Sequence, residues 1–120
     1  MYDHIGLRVA DLDASVRFYT AALAPLGFEL CSRDDTGAGF GPKGAPALWL
    51  HLHKAKAGTG AHVAFRAKDH AAIEKFYAEG LKAGGRDNGG AGLRADYSPT
   101  YYAAFVIDPD GYRLEAFCGK

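Results

Sequence analysis

In the opening HIGLRV, Ile5, Leu7 and Val9 alternate with His4, Gly6 and Arg8, the period-two pattern of a half-buried strand. The period then lengthens. Leu12, Val16, Tyr19 and Leu23 recur at helical spacing, and Asp11 stands where a side chain caps a helix N-terminus. The same text returns further on. HIGLRVADLDASVRFYTAALAPLG, His4 to Gly27, lies without a gap over HVAFRAKDHAAIEKFYAEGLKAGG, His62 to Gly85, with eight of 24 positions identical. That match is well beyond chance and marks a duplicated unit. In the second copy Asp69 takes the capping position and Ile73, Phe76, Tyr77 and Leu81 form the stripe.

Shorter alternating runs follow each helix. They predict strands near Phe28 to Arg33, Gly37 to Gly41 and Ala47 to His53, then near Gly85 to Asn88, Tyr101 to Asp108 and Tyr112 to Cys118. DPDG, Asp108 to Gly111, reads as the turn of the last hairpin. The expectation is an α+β fold, a single domain over residues 1–120. It would consist of two βαβββ modules, about 1–57 and 58–120, whose eight strands make a cupped, mostly antiparallel sheet with the helices outside.

Charge and composition narrow the partners. Lys plus Arg and Asp plus Glu both number 14, so no basic stripe argues for nucleic acid or an anionic membrane. No apolar run approaches the roughly 20 residues needed to span a bilayer. The N-terminus does not read as a secretory leader, and Cys31 and Cys118 are the sole cysteines, so a cytoplasmic protein with reduced thiols is expected. A small molecule is the expected partner.

Strand parity assigns the inner face of the cup. With Ile5, Leu7, Val9, Val63 and Phe65 turned to the helices, His4, Gly6, Arg8, His62, Ala64 and Arg66 face inward. LWLHLH adds Trp49, His51 and His53, and YRLEAFC adds Arg113, Glu115 and Phe117. Histidines and a carboxylate gathered there need partners, because a buried, unpaired charge is costly. Two imidazoles and one carboxylate make a facial triad for a divalent cation, and His4, His62 and Glu115 are the candidate ligands. Aligning LWLHLH with YRLEAF sets His51 opposite Glu115, so His51 or His53 is a further candidate ligand or acid/base group. Arg8 and Arg66 are candidates for an anionic substrate or for pairing with Glu115. The glycine-rich segment from Gly84 to Tyr102 carries Arg94, Tyr97, Tyr101 and Tyr102, as a loop over the substrate or as core filling.

DHIGLRVADLDASVRFY, AHVAFRAKD and FVIDPDGYRLEAF, in this order and duplicated, resemble the vicinal oxygen chelate superfamily, the glyoxalase, bleomycin-resistance and dioxygenase group. The resemblance covers essentially the whole chain. It implies paired βαβββ modules around a divalent metal (iron, manganese, nickel, cobalt or zinc) that chelates vicinal oxygens, and it implies a homodimer. Carried over by position, the ligands fall on His4, His62 and Glu115, with His51 about where four-ligand members have a carboxylate. The leading expectation is a small metalloenzyme (a lyase, dioxygenase or transferase) acting on an oxygen-rich molecule, with His51, His53 and Tyr102 as acid/base candidates. The rival is a metal-free binding or drug-sequestration protein in which Trp49, Phe40 and the late tyrosines stack on a planar ligand.

Overall fold

A computed structural model describes residues 1–53 and 61–119, so the boundary expected near residues 57 and 58 lies outside the described residues. The first half runs β1 (Ile5–Val9), α1 (Leu12–Leu23), a 3₁₀ turn (Ala24–Leu26), β2 (Glu29–Arg33), β3 (Gly37–Gly41) and β4 (Leu48–Leu52). The second runs β5 (His62–Arg66), α2 (His70–Lys82), β6 (Arg86–Asp87), β7 (Gly92–Leu93), β8 (Tyr102–Ile107) and β9 (Arg113–Cys118). Both helices start where the sequence caps them. The Asp11 carboxylate accepts from the Ala14 N–H and that of Asp69 from the Ala72 N–H.

The strands form two sheets rather than the expected single sheet of eight. One has the order β1-β4-β3-β2; the other has β5-β9-β8-β6, with β7 also on β8. Both are mixed, since β1 runs parallel to β4 and β5 parallel to β9 while the remaining pairs are antiparallel. The parallel pairs have a simple origin. The helix after each first strand carries the chain across to a strand of the same sense, and two successive reversals then return the last strand beside the first in the same sense.

The halves meet through side chains. Phe18, Tyr19, Leu23, Phe40 and Leu50 from the first half and Ile73, Phe76, Val106 and Leu114 from the second join one buried cluster. The Asp108–Gly111 turn, expected only to close a hairpin, also fastens the halves together. Asp108 accepts from the Tyr19 hydroxyl, and Asp110 accepts from the Ala10 N–H and the Ser15 hydroxyl. The Tyr112 hydroxyl donates to the Arg8 carbonyl at 2.9 Å. Gly111 turns the chain with φ of 99°.

Strand parity holds. Leu7, Val9, Leu48, Leu50, Val63, Leu114 and Ala116 are buried toward the helices. On the opposite faces Gly6, Arg8, His51, His62, Ala64 and Arg66 are exposed. Phe40 departs from the rival expectation. It is 1% exposed and packs against Tyr19 at a ring distance of 5.9 Å, because Gly37, Gly39 and Gly41 leave it and Ala38 as the core face of β3. Among the described residues no helix is long and apolar enough to cross a membrane. Cys31 and Cys118 are both free thiols.

Candidate functional site

The second sheet brings the chemistry together. In the parallel register Ala64 stands beside Glu115, and His62, on the same face, places Nε2 2.9 Å from Glu115 Oε1. Glu115 is 4% exposed, and a carboxylate so enclosed needs hydrogen-bond donors. It has two, since its other oxygen accepts from the Tyr101 hydroxyl. Burial first, then the hydrogen bond and charge of Glu115, push Tyr101 up to about 12, so the phenol keeps its proton and remains a donor.

Aromatic rings wall this network. Tyr101 lies 4.4 Å from the Phe117 ring and 5.0 Å, edge to face, from Tyr97. Phe105, opposite Glu115 in the β8–β9 register, meets His62 edge to face at 6.4 Å and carries the Arg94 guanidinium 5.2 Å above its ring. The glycine-rich segment therefore packs Arg94, Tyr97 and Tyr101 beside Glu115, Phe105 and Phe117. It is tied down as well, through β6 and β7 on β8 and through the Arg94 side chain, which donates to the Gly90 carbonyl at 2.7 Å.

The first sheet presents a different face. Gly6 stands beside Trp49 and Arg8 beside His51 in the parallel register. Because Gly6 and Ala64 correspond in the repeat, Trp49, not His51, occupies the position held by Glu115 in the second half. The alignment of LWLHLH with YRLEAF is therefore corrected by two residues. Half-buried Trp49 covers Gly39: a Cβ there would stand 2.9, 2.7 and 2.8 Å from Cε3, Cζ3 and Cη2 of the indole. The His51 ring passes 3.4 Å from the corresponding point on Gly6.

The remaining candidates are distributed as follows. His4 is hydrogen-bonded to Asp3 at 2.7 Å, and a cavity of about 190 Å³ beside it is lined mainly by apolar groups, including Phe28, Leu48, Val63 and Phe65. His53 is exposed just beyond β4, its N–H donating to the Val9 carbonyl. Among the described residues neither Arg8 nor Arg66 forms an ion pair, so the expected pairing with Glu115 is replaced by that of His62. Tyr102 is corrected: it stacks on His70 at 3.7 Å and donates to Glu74 at 2.8 Å, on the helix side of its sheet. Its neighbour Tyr101 is the tyrosine on the carboxylate. Among the described residues no three His, Cys, Asp or Glu side chains are placed to hold one metal ion, so His62 and Glu115 come together without His4. Phe105 is a site residue outside the expected set, and the alternation in YAAFVI places it on the open face.

Comparisons with known proteins agree with this architecture. Residues 2–116 match the family described as Glyoxalase/Bleomycin resistance protein/Dioxygenase superfamily. The chain is similar to a glyoxalase/bleomycin resistance protein from Albidiferax ferrireducens, with 25% identity and a TM-score of 0.85 over 98% of this chain and 97% of that one. It is similar in fold to a glyoxalase/bleomycin resistance protein/dioxygenase family enzyme from Burkholderia phytofirmans, with 16% identity and a TM-score of 0.76 over 98% of each chain. A bleomycin resistance determinant encoded on transposon Tn5 shares the fold at 21% identity and a TM-score of 0.66, over 96% of this chain and 94% of that one. No curated protein matches the sequence.

Proposed function

Because the chain belongs to the glyoxalase/bleomycin resistance protein/dioxygenase superfamily, we propose that it is a small cytoplasmic metalloenzyme acting on an oxygen-rich small molecule at the open faces of its sheets. The observation that carries this reading is Glu115, a buried carboxylate held between an exposed His62 and Tyr101 and walled by aromatic rings. One imidazole and one carboxylate fit two positions of a facial triad, and since His4 does not reach them within the described chain, the third would come from His4 of a second copy in a homodimer. A divalent cation held by these side chains would supply Lewis acidity toward oxygen atoms of the substrate.

The other roles belong to the chain itself. Tyr101 fixes the orientation of the Glu115 carboxylate. Phe105 and Phe117 keep water from one side of it, and Arg94 above Phe105 offers a fixed positive charge to an anionic intermediate. His51 and His53 are the proton-transfer candidates.

A second reading, metal-free binding, draws on Trp49 standing at the position of Glu115, where a second carboxylate ligand would be needed for a four-donor site. One experiment separates the two. Metal content after purification without added metal, followed by titration with manganese, iron, cobalt, nickel and zinc, should give a stoichiometric site that is lost in His62→Ala and Glu115→Gln and weakened in His4→Ala. A stoichiometric site unchanged in all three variants overturns the ligand assignment; no site at all selects the second reading.

A further inference from the structure

The distances around Gly39 describe how Trp49 lies. Cε3, Cζ3 and Cη2 are consecutive atoms of the six-membered ring, and all three stand within 0.2 Å of equal distance, 2.7 to 2.9 Å, from the Cβ position of Gly39. An approach to the ring edge would leave the two flanking carbons well beyond the middle one. The near equality puts that point over the face of the ring, so the indole lies flat across β3 in the space a side chain would fill. One face rests on Gly39 and the other, in this half-buried residue, is turned from the sheet.

Resting on the reading that the open faces form the small-molecule site, we infer that the first sheet is a stacking platform for a planar aromatic ring that bears an acidic group. Flatness selects the ring. A horizontal indole matches an aromatic face over its whole area, whereas a puckered ring touches it at a few atoms. The charge follows from the neighbours. Arg8 and His51, paired one step along from Trp49 on the same face, are both exposed, and β1 and β4 place no carboxylate there. Asp34, whose Oδ1 stands 4.0 Å from the Cβ position of Gly37 with His51 Nδ1 at 3.9 Å, is engaged by Thr36 and the Gly37 N–H and lies on the far side of His51 from the strand of Arg8. Among the described residues Arg8 has no ion pair, so its planar donor fork is open to a carboxylate or phenolate on the ligand. Gly39 is then a specificity-determining residue, since any Cβ displaces the platform.

Calorimetric titration of metal-stripped protein with 2-naphthoate, benzoate and cyclohexanecarboxylate tests this. Naphthoate should bind about threefold to tenfold more tightly than cyclohexanecarboxylate, the range expected for one aromatic stacking contact. Trp49→Leu should remove that preference, Gly39→Ala should reduce it with Trp49 still present, and Arg8→Gln should weaken every acid alike. Trp49 is the single tryptophan, so its fluorescence reports the stacking directly. Equal affinity for naphthoate and cyclohexanecarboxylate, or a preference that survives in Trp49→Leu, overturns the platform. Metal uptake measured on the same variants keeps the two proposals apart: it should be unchanged in Trp49→Leu and Gly39→Ala, so either can fail without the other.

Discussion

The phenol of Tyr19, on α1, donates to the carboxylate of Asp108, in the turn before β9, at 2.5 Å, and both side chains are essentially sealed from solvent. One hydrogen bond thus joins the helix of the first half to the last hairpin of the second. Asp108 also accepts from the N–H groups of Asp110 and Tyr112, so each of its oxygens has a donor.

Tyr19→Phe leaves that carboxylate short of one donor in a buried setting, and should cost about 1 to 3 kcal/mol in denaturant unfolding. The pH dependence has a definite sign. Burial, then the charge of Asp108, raises Tyr19 well above 10.0, so the folded protein holds this proton after an unfolded chain has released it. Its stabilising contribution is complete below that value and declines as pH rises above it. Unfolding midpoints at neutral pH and at about pH 11 should therefore differ less in Tyr19→Phe than in the parent.

Glu115→Gln should lower the pKa of Tyr101, because the hydrogen bond and the negative charge of the carboxylate are two of the causes that hold it near 12. Burial is the largest cause and survives the substitution, so the value should remain above 10.0. Absorbance titration of the phenolates, with Tyr101→Phe to identify the band, measures both limits.

Two glycines five residues apart should respond in opposite directions. A Cβ on Gly85 would meet Phe18 at 2.6 Å, Val106 at 2.7 Å and the Gly80 carbonyl oxygen at 2.8 Å, and backbone cannot step aside. Gly85→Ala should destabilise by about 1 to 3 kcal/mol through overpacking. A Cβ on Gly80, inside α2, meets nothing closer than 3.5 Å. Gly80→Ala should therefore stabilise by up to about 1 kcal/mol through helix propensity. Thermal melts of the two variants make the comparison.

Local signals in the sequence served well. The caps at Asp11 and Asp69 and the stripe from Leu12 to Leu23 depend on neighbours within one turn, which a linear reading sees directly. Pairing did not follow so easily. A slip of two residues preserves the alternation of faces, so LWLHLH could be laid on YRLEAF with His51 against Glu115 and no polar residue moved into the core. The parallel register alone shows Trp49 in that place. Phe40 was obscured for a related reason, since a strand whose other face is Gly37, Gly39 and Gly41 offers no polar contrast. Tyr101 and Tyr102 are adjacent at the start of β8, and adjacent strand residues point to opposite faces. Tyr101 shares its face with Phe105, so the alternation in YAAFVI assigns it, rather than Tyr102, to the side of Glu115.

Among the described residues the sheet orders leave β1 and β5 each paired with one neighbouring strand. A strand with a bare flank can recruit any extended segment, and natural sheets often guard such flanks with charge. Arg8 and Arg66, at matching places in the two copies, put an exposed cation on each of these outermost strands, and on β1 the second half already takes part of the flank, the Arg8 carbonyl accepting from the Tyr112 hydroxyl and the Ala10 N–H donating to Asp110. The arginine that suits an acidic ligand is thus also a sentry: a second chain joining either flank has to accommodate a guanidinium before its first backbone hydrogen bond is made.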